Sequence, residues 1–357
     1  MSKGLKPGYL YILNDVDQRT GTSSPYYKIG ITFESKTVEE RIKEHQTGNP
    51  RDIVCVFALQ TEAPFLVEQS LHRLHSSDRI RLEWFEFKEE KELEDLIKEA
   101  KKLDATFSPK IKAIRKNAVN DSNGKMAVLS SKELAEATSY HSELKQLLLQ
   151  LLECTLKKDT IAELFKEITA DNGQGIDGIV NVSVSGQGDP TFNVAEFKKS
   201  SPANKKIWES FQKTSRKDEF KLIGNPTPAK DQSTLHQQKQ TQVAKAKAVK
   251  PEATAVQDSG ISRTQDLEKT HAEYIELLDL EGELKAKIEE KELLLQILIG
   301  ENDGIEDIAN WVRSETSTFD KTAFKNAHHD LFTDLTYYKT AKATVSYKVA
   351  KSRNYIV

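Results

Sequence analysis

Two segments in the second half of this chain repeat one another at an offset of 126 to 127 residues. TFNVAEFKK at 191–199 aligns with TFDKTAFKN at 318–326, so that both phenylalanines and the lysine after the second one coincide. FQKTSRKDEFKLI at 211–223 aligns in the same way with YYKTAKATVSYKV at 337–349. A repeated pattern of this length indicates two copies of one structural unit, which constrains how this half of the chain folds.

A long helical pattern precedes each copy, at 131–168 and at 262–300. Both patterns end in a cluster of Gly, Asn and Asp, which is typical of a helix C-terminus. We therefore predict two helix–strand–helix–strand repeats, repeat 1 over 132–223 and repeat 2 over 265–357. GQGIDG in repeat 1 fits the spacing of a dinucleotide-binding loop, but it follows a helix and precedes a strand, so we interpret it as a turn.

The segments that flank repeat 1 read as linkers. Residues 225–260 contain no aromatic residue and are rich in Pro, Gln, Lys and Ala, so they cannot bury enough apolar surface to offset the entropy of ordering. We predict a flexible linker over 224–264 and a basic linker over 106–131. The second of these carries five basic side chains against one acidic side chain, which favours a polyanion as a neighbour.

The composition excludes several classes of protein. Cys55 and Cys154 are the two cysteines, and they lie outside any CxxC pattern, which argues against a disulfide framework and a cysteine-ligated zinc site. The N-terminus lacks the apolar core of a signal peptide. No apolar run approaches the roughly 20 residues that a membrane-spanning helix needs. We therefore expect a cytoplasmic protein with no membrane partner.

The first hundred residues predict a small α+β domain over 1–105. Aromatic and β-branched runs indicate strands, and amphipathic runs indicate helices. In chain order the pattern predicts strands at 8–13 and 26–32, a helix at 37–48, a strand at 52–60, a helix at 63–77, a short strand at 83–87 and a closing helix at 88–103. Thr37 is the expected N-cap of the first helix and Gly48 the residue that ends it.

Polar side chains from four of these elements are the candidate site. Tyr11 lies on the first strand, and Lys28 lies on the second. Arg41 and His45 are four residues apart and therefore share one side of the first helix. Glu68 lies on the second helix, outside its apolar stripe. The outline predicts that these groups converge over the small sheet.

In this order, GYLYIL, YYKIGIT, ERIKEH, VEQSLH and EWFEF resemble a GIY-YIG nuclease over about residues 7–90. The resemblance is to the phage-type subfamily that is also known under the meiotically up-regulated gene label. It implies an antiparallel sheet flanked by helices, and an endonuclease that hydrolyses or nicks DNA with Mg²⁺ or Mn²⁺. It assigns Tyr11, Arg41 and His45 to catalysis and Glu68 to the metal. It also implies a bacterial cell or a phage-infected cell as the setting.

The second motif departs from the family pattern. Lys28 occupies the tyrosine position and Tyr27 lies one residue earlier, so both are candidate catalytic residues and the choice between them stays open. His72 is retained as a candidate partner that orients Glu68.

The residue types suit phosphodiester hydrolysis. One carboxylate suffices for Mg²⁺ if the ion keeps several waters and also binds the substrate phosphate. Arg41 suits the developing phosphate charge because its planar fork donates two bonds. Tyr11 is an awkward base because the pKa of a phenol is about 10. A cation beside it, Lys28 or the metal, is expected to lower that pKa, and His45 is expected to orient the tyrosine.

Three alternatives compete with this interpretation. Taken singly, Tyr11 is more often a strand aromatic, and Arg41 and Glu68 are more often solvated helix charges; only their joint pattern favours a site. A second reading is a DNA-binding or replication-interference factor that keeps the fold without cleaving. A third is a protein–protein assembly device built on the repeats.

The repeats contain no convincing catalytic set, and we assign them to binding. Basic residues interleaved with Trp208, Phe211 and Phe220 suit phosphate binding, with a solvated helix face as the alternative. The candidate DNA-binding residues are Lys198, Lys199, Lys205, Lys206, Lys213, Arg216 and Lys217. The heptad-like helix over 265–299 suits self-association or a protein partner. Repeat 2 is also similar to the C-terminal tail region of YqaJ-type phage recombination nucleases.

Overall fold

The structure is a computed structural model that describes residues 3–81, 83–172, 174–185, 190–248, 260–339 and 344–352. It confirms a mixed α/β chain whose N-terminal antiparallel sheet is flanked by helices. The chain divides into two compact units. The first contains Met1–Lys145, Lys217–Gly224 and Ala286–Ser314, and the second contains Gln146–Arg216, Asn225–Lys285 and Glu315–Val357. No helix in the described ranges has the length and apolar character needed to cross a bilayer.

The N-terminal part of the first unit follows the predicted order of elements and adds one short strand. The elements are a 3₁₀ turn Lys3–Leu5, β1 Gly8–Val16, β2 Ser23–Phe33, α1 Val38–Gln46, β3 Asp52–Thr61, α2 Pro64–Leu74, β4 Arg79–Arg81, β5 Trp84–Glu86 and α3 Glu90–Asn117. The five strands form one sheet in the order β3-β1-β2-β5-β4, and β4 is the strand that the sequence did not predict. All neighbouring strands are antiparallel.

Strand β1, which lies between β3 and β2, separates two layers of side chains. Leu10 and Ile12 pack with Val67 of α2 on one face of the sheet. Tyr11 packs with Val38 of α1 on the opposite face. This follows from the two-residue alternation of a strand. Burial of each large apolar side chain contributes about 1.5–3 kcal/mol to stability. Each face of β1 is therefore covered by the helix that buries its apolar side chains.

Helix α1 begins and ends as its sequence predicts. The Thr37 side chain accepts a hydrogen bond from the backbone N–H of Glu40, and the Glu40 carboxylate accepts one from the backbone N–H of Thr37. This capping box satisfies two N–H groups that the helix leaves unpaired. Gly48, with φ of 81°, lies just beyond the helix in the left-handed region that favours glycine.

Helix α3 continues to Asn117, so the first half of the predicted basic linker 106–131 is helical. The reason is that Ile111 and Ile114 extend its apolar face and are buried. Arg115 in the same turn donates from Nε to the carbonyl of Leu5 at 2.8 Å. The predicted boundary between the N-terminal domain and the linker at residue 105 therefore falls inside a packed helix.

The second half of this predicted linker is held by Asp303. Its carboxylate accepts hydrogen bonds from the backbone N–H groups of Asn123, at 3.2 Å, and Gly124, at 2.6 Å. Ala127 then donates its backbone N–H to the carbonyl of Gly304 at 2.8 Å. The segment therefore follows a fixed path in the first unit instead of acting as a free tether.

Arg313 secures the same junction from inside. Its side chain is 2% exposed and forms an ion pair with Asp303. Its guanidinium also donates to the carbonyl of Asn117 at 3.3 Å and to those of Glu301, at 2.9 Å, and Asn302, at 3.1 Å. A cation suits this place because the ends of two helices present their carbonyl oxygens there.

The rest of the chain contains the predicted long helices, followed by strands and short helices. The elements are α4 Ser131–Asn172, β6 Val180–Ser185, β7 Thr191–Phe192, α5 Val194–Ser200, α6 Pro202–Ser210, β8 Gln212–Leu222, α7 Pro228–Asp231, α8 Ser233–Ala248, α9 Gln265–Ile299, β9 Gly304–Ile305, β10 Ala309–Phe319, α10 Lys321–Ala327, α11 His329–Thr333, a 3₁₀ turn Leu335–Tyr337, β11 Tyr338–Lys339 and β12 Thr344–Val349. They form a three-stranded sheet, β8-β10-β9, and two strand pairs, β11-β7 and β12-β6.

One histidine in each predicted long helix donates to a carbonyl oxygen near the end of the same repeat. In the first unit, the carbonyl of Ile223 accepts from His141 Nε2 at 2.9 Å. In the second unit, the carbonyl of Ala350 accepts from His271 Nε2 at the same distance. The strand pairs β6–β12 and β7–β11 each join a strand of one repeat to a strand of the other. The strands are therefore exchanged between the two segments.

An aromatic cluster forms the core of part of the second unit. Phe197 and Phe324, which the sequence alignment matches, are both fully buried with ring centroids 5.0 Å apart. Phe192 and Phe319 flank them, and these two positions also match in the alignment. The aromatic residues that coincide in the repeats are therefore core residues.

The predicted flexible linker 224–264 contains helix α8, which corrects that prediction in part. Ala246 of α8 is buried, and Lys239 Nζ lies 2.6 Å from Asp159 Oδ2 on α4. The run of Gln, Lys and Ala has good helix propensity even though it is poor in apolar residues, which is why a helix forms there. Residues 249–259 of this linker lie outside the described residues.

Candidate active site

A cleft of about 460 Å³ opens beside β2, and residues of the predicted site line it. Strand β5 pairs only with Tyr26–Lys28, so the following part of β2 has no strand on that side in the described sheet. Side chains from both layers of the domain reach this uncovered edge. The charged and polar residues that line the cleft include Tyr11, Thr32, Lys36, Arg41, Glu68 and Glu83.

Tyr11 is positioned by Gly30. The two residues are directly opposite each other in the β1–β2 ladder. A Cβ atom on Gly30 would lie 2.7 Å from the hydroxyl oxygen of Tyr11 and 2.8 Å from its ring carbons. The phenol therefore lies across the strand in the space that a side chain would fill. This close approach explains the glycine of the YYKIGIT segment.

Tyr11 keeps its proton in this setting. Burial raises its pKa, and the neighbouring carboxylates of Glu83 and Glu68 raise it further. The Arg41 guanidinium acts in the opposite direction without offsetting the burial. Among the side chains, the cation that lowers the pKa of Tyr11 is thus Arg41, whereas the sequence predicted Lys28 or the metal in this role. The phenol is a proton donor at neutral pH.

Arg41 is held on α1 with part of its guanidinium unsatisfied. It forms an ion pair with Glu44 one turn later. Its Nε is buried and makes no hydrogen bond to any described residue. A buried N–H donor without an acceptor is costly, and an anion in the cleft would satisfy it. This feature makes Arg41 suitable for binding a phosphate.

His45 lies one turn after Arg41, and its Nε2 is 3.4 Å from the Tyr11 hydroxyl. Burial lowers the pKa of His45, and the positive charges of Lys28 and Arg41 lower it further. The imidazole is therefore neutral at neutral pH and able to exchange a proton with Tyr11. The predicted trio of Tyr11, Arg41 and His45 is brought together.

Glu68 faces the cleft from α2 and is 6% exposed. Gln69 Nε2 donates to its Oε2 at 3.3 Å. Within the described ranges, no group of three or more His, Cys, Asp or Glu side chains converges to hold a metal. The donor set fits a divalent cation such as Mg²⁺ only if the cation takes one or two carboxylates and keeps several waters, which Mg²⁺ commonly does.

Lys28 has a partner that the sequence reasoning missed. Its ammonium forms an ion pair with Glu83, the residue before β5. Burial raises the pKa of Glu83, but Lys28 lowers it by more, so the net shift is downward and the carboxylate stays ionised. The signal was available, since Glu83 begins EWFEF and an antiparallel strand there would bring it to Lys28.

Two predicted site residues lie elsewhere. Tyr27 packs on the opposite face of the sheet, with its ring centroid 5.8 Å from that of Phe87, because successive residues of β2 alternate. His72, the predicted partner of Glu68, donates from Nε2 to the carbonyl of Ile29 at 3.1 Å, and its Nδ1 accepts from Arg79 at 3.1 Å. Burial lowers the pKa of His72 to about 4, so the imidazole is neutral at neutral pH.

The predicted DNA-binding residues lie at the end of α5, on α6 and along β8. Those with exposed side chains are Lys199, Lys205, Lys206, Lys213, Arg216 and Lys217. Lys198 is half-buried, with Nζ 3.6 Å from the centroid of the Trp208 ring. Arg216 Nη2 lies 3.2 Å from Glu315 Oε1, so part of its charge is neutralised. Lys217 belongs to the first unit and the others to the second.

Helix α9, the predicted partner surface, packs extensively inside the chain. In the first unit Lys291 forms an ion pair with Glu143 of α4 at 2.6 Å, and Arg73 of α2 forms one with Glu290. Leu293 and Leu295 are buried. The heptad-like apolar positions are therefore used at least in part for intramolecular packing.

No protein-family model, curated protein or solved structure matches this chain.

Proposed function

We propose that the N-terminal domain is a metal-dependent DNA endonuclease of the GIY-YIG type. The observation that carries the proposal is the shared cleft, where Tyr11 of β1, Arg41 of α1 and Glu68 of α2 meet although they are far apart in sequence. A phenol, a guanidinium and a buried carboxylate on one cleft suit hydrolysis of a phosphodiester. The fold of 1–105 and the sequence motifs support the same proposal.

Each residue has a role that its surroundings allow. Arg41 binds a non-bridging phosphate oxygen through the Nε–H that the described residues leave unsatisfied, and this bond strengthens as negative charge develops. Glu68 is the residue that would hold Mg²⁺ or Mn²⁺, which supplies charge stabilisation at the phosphate when bound. Tyr11, next to a neutral His45, presents a hydroxyl that donates a proton or hydrogen bond.

We propose that the repeats bind the DNA on which the N-terminal domain acts. Exposed lysines on α5, α6 and β8 support this assignment because phosphate contacts provide most of the sequence-independent affinity. The two predicted repeats are interpreted as copies of one module, an interpretation that the aligned core residues Phe197 and Phe324 support. A phage or mobile-element setting, a cytoplasmic location and self-association through 265–299 remain predictions.

One observation favours the non-cleaving alternative. Lys28, which stands where the family has its second tyrosine, is neutralised by Glu83 and is not free to act on Tyr11. A domain that had lost its chemistry would still bind DNA through Arg41 and the repeats. The two functions differ in whether DNA is cut.

A plasmid-nicking assay separates them. Purified protein with Mg²⁺ is expected to convert supercoiled plasmid to open circles, and Glu68→Ala is expected to abolish this while DNA binding persists. Glu86→Ala is the matched control, because Glu86 is a carboxylate on β5 outside the cleft lining. Binding without any nicking by the wild-type protein would favour the non-cleaving factor. Undiminished nicking by Glu68→Ala would remove the metal role of Glu68.

A further inference from the structure

The ion pair at the second motif is built into the fold. Lys28 is 8% exposed and pairs through its backbone with Trp84 of β5. The carbonyl of Glu83 accepts a hydrogen bond from the backbone N–H of Ile29 at 3.0 Å. Both partners are therefore fixed by the same stretch of sheet. The backbone pairing of β2 with the segment 83–84 therefore positions the two side chains of the ion pair.

The two partners differ in what they present to the cleft. The Glu83 carboxylate lines it together with Tyr11, Arg41 and Glu68, whereas Lys28 is not among the lining residues. The Glu83 side chain is 43% exposed and that of Lys28 is 10% exposed. Of this ion pair, the residue that lines the cleft is thus Glu83, and Lys28 of the second motif is its buried partner.

We propose that Glu83, held by Lys28, is the group that orients the attacking water and accepts its proton. This inference rests on the nuclease function proposed above. At neutral pH the Glu83 carboxylate is ionised, whereas the Tyr11 phenol retains its proton. Surroundings that lower the pKa of one group and raise the pKa of the other are typical of an acid–base pair. The base is therefore a residue of the EWFEF segment to which the resemblance assigns no role.

The step balances as a simple displacement. The water oxygen forms a bond to phosphorus, and the bond between phosphorus and the leaving sugar oxygen breaks. The water proton passes to the Glu83 carboxylate, and the leaving oxygen takes a proton from the Tyr11 hydroxyl. Tyr11 regains its proton from solvent through His45, and Glu83 returns its proton to solvent. Lys28 is a positioning residue, because it acts through Glu83.

The test compares Glu83→Gln with Lys28→Met in the full chain on supercoiled plasmid with Mg²⁺. Loss of a general base lowers kcat by about 100-fold or more. We expect this loss in Glu83→Gln with KM and DNA binding in Ca²⁺ unchanged. Lys28→Met is expected to lower kcat less, since the carboxylate remains. The double variant is expected to match Glu83→Gln, because Lys28 acts only through Glu83.

Glu86→Gln is the matched control and is expected to nick like the wild type. If Glu83→Gln fails to fold because Lys28 is left unpaired, the double variant removes both charges and is assayed in its place. If Glu83→Gln or the double variant nicks plasmid with the kcat of the wild type, the inference is overturned. A change confined to KM also overturns it and assigns the pair to DNA binding. Absence of nicking by the wild-type protein instead refutes the proposed function itself.

Discussion

Replacement of Arg313 with alanine tests how firmly the N-terminal domain is joined to the helices that follow it. The side chain is 2% exposed, and its removal leaves the Asp303 carboxylate, itself 17% exposed, without its cation. It also removes one donor from the carbonyl of Asn117, at the end of α3, and one from that of Glu301, just after α9, although each keeps another hydrogen bond. Breaking a buried ion pair in this way costs about 3–5 kcal/mol.

The direction in which stability changes with pH gives a second measure of the Asp303–Arg313 ion pair. Burial raises the pKa of Asp303, but Arg313 and the N–H groups of Asn123 and Gly124 lower it by more, so the net pKa lies below its usual value. The pair therefore stabilises the wild type above the unfolded pKa of about 4, and this stability is lost as the pH falls through the lower folded pKa. Without Arg313, burial is expected to raise the pKa of Asp303 relative to its value in the wild type. Adding Asp303→Asn to Arg313→Ala is therefore expected to restore part of the lost stability.

Urea unfolding followed by tryptophan fluorescence is the assay. Trp311 lies 5.1 Å from the Arg313 guanidinium and reports on the junction, while Trp208 reports on the second unit. Arg216→Ala is the matched control, because this arginine is more exposed and surface pairs contribute at most about 1 kcal/mol. A loss in Arg313→Ala no larger than in the control would refute the assigned role of the buried pair.

Three further outcomes are expected. Gly30→Ala places a methyl group against the Tyr11 ring, so it should destabilise the domain by about 1–3 kcal/mol and lower nicking, measured by thermal melting and the plasmid assay. Burial lowers the pKa of His72 to about 4, so its contribution to stability is complete above a pH of about 6.5. This contribution, up to about 3 kcal/mol, is lost as the pH falls toward 4. A variant His72→Gln whose stability has the same pH profile as the wild type would contradict this. Lys205→Ala together with Lys206→Ala should weaken DNA binding equally across sequences and reduce the salt dependence by about 2 in log–log slope, and an unchanged slope would exclude these lysines from the interface.

Local patterns determined the N-terminal elements. The alternation along GYLYIL fixed which residues of β1 face α1 and which face α2, because a strand turns successive side chains to opposite faces. Thr37 marked the start of α1, where the structure shows that Glu40 completes a capping box within four residues. The motif spacing likewise selected Tyr11, Arg41 and Glu68, which the structure brings to one cleft.

Patterns that depend on distant partners were harder to read. The helix over the predicted basic linker was missed because Ile111 and Ile114 appear isolated until α3 is placed against its neighbours. Helix α8 was missed because composition reports the lack of apolar residues but not the ion pair with Asp159. The exchange of strands between the repeats leaves no local trace, since each strand pairs with a segment far away in the chain.

The sequence by itself thus determined the order of elements in 1–105, their faces and the core of the candidate site, since these follow from short periods and caps. Tertiary structure alone decided the chemistry at the second motif. The placement of β5 and α2 against β2 brings Glu83 to Lys28 and His72 to the carbonyl of Ile29. The charge state of a side chain depends on its desolvation and on its neighbours in space, and neither quantity is present in the order of residues.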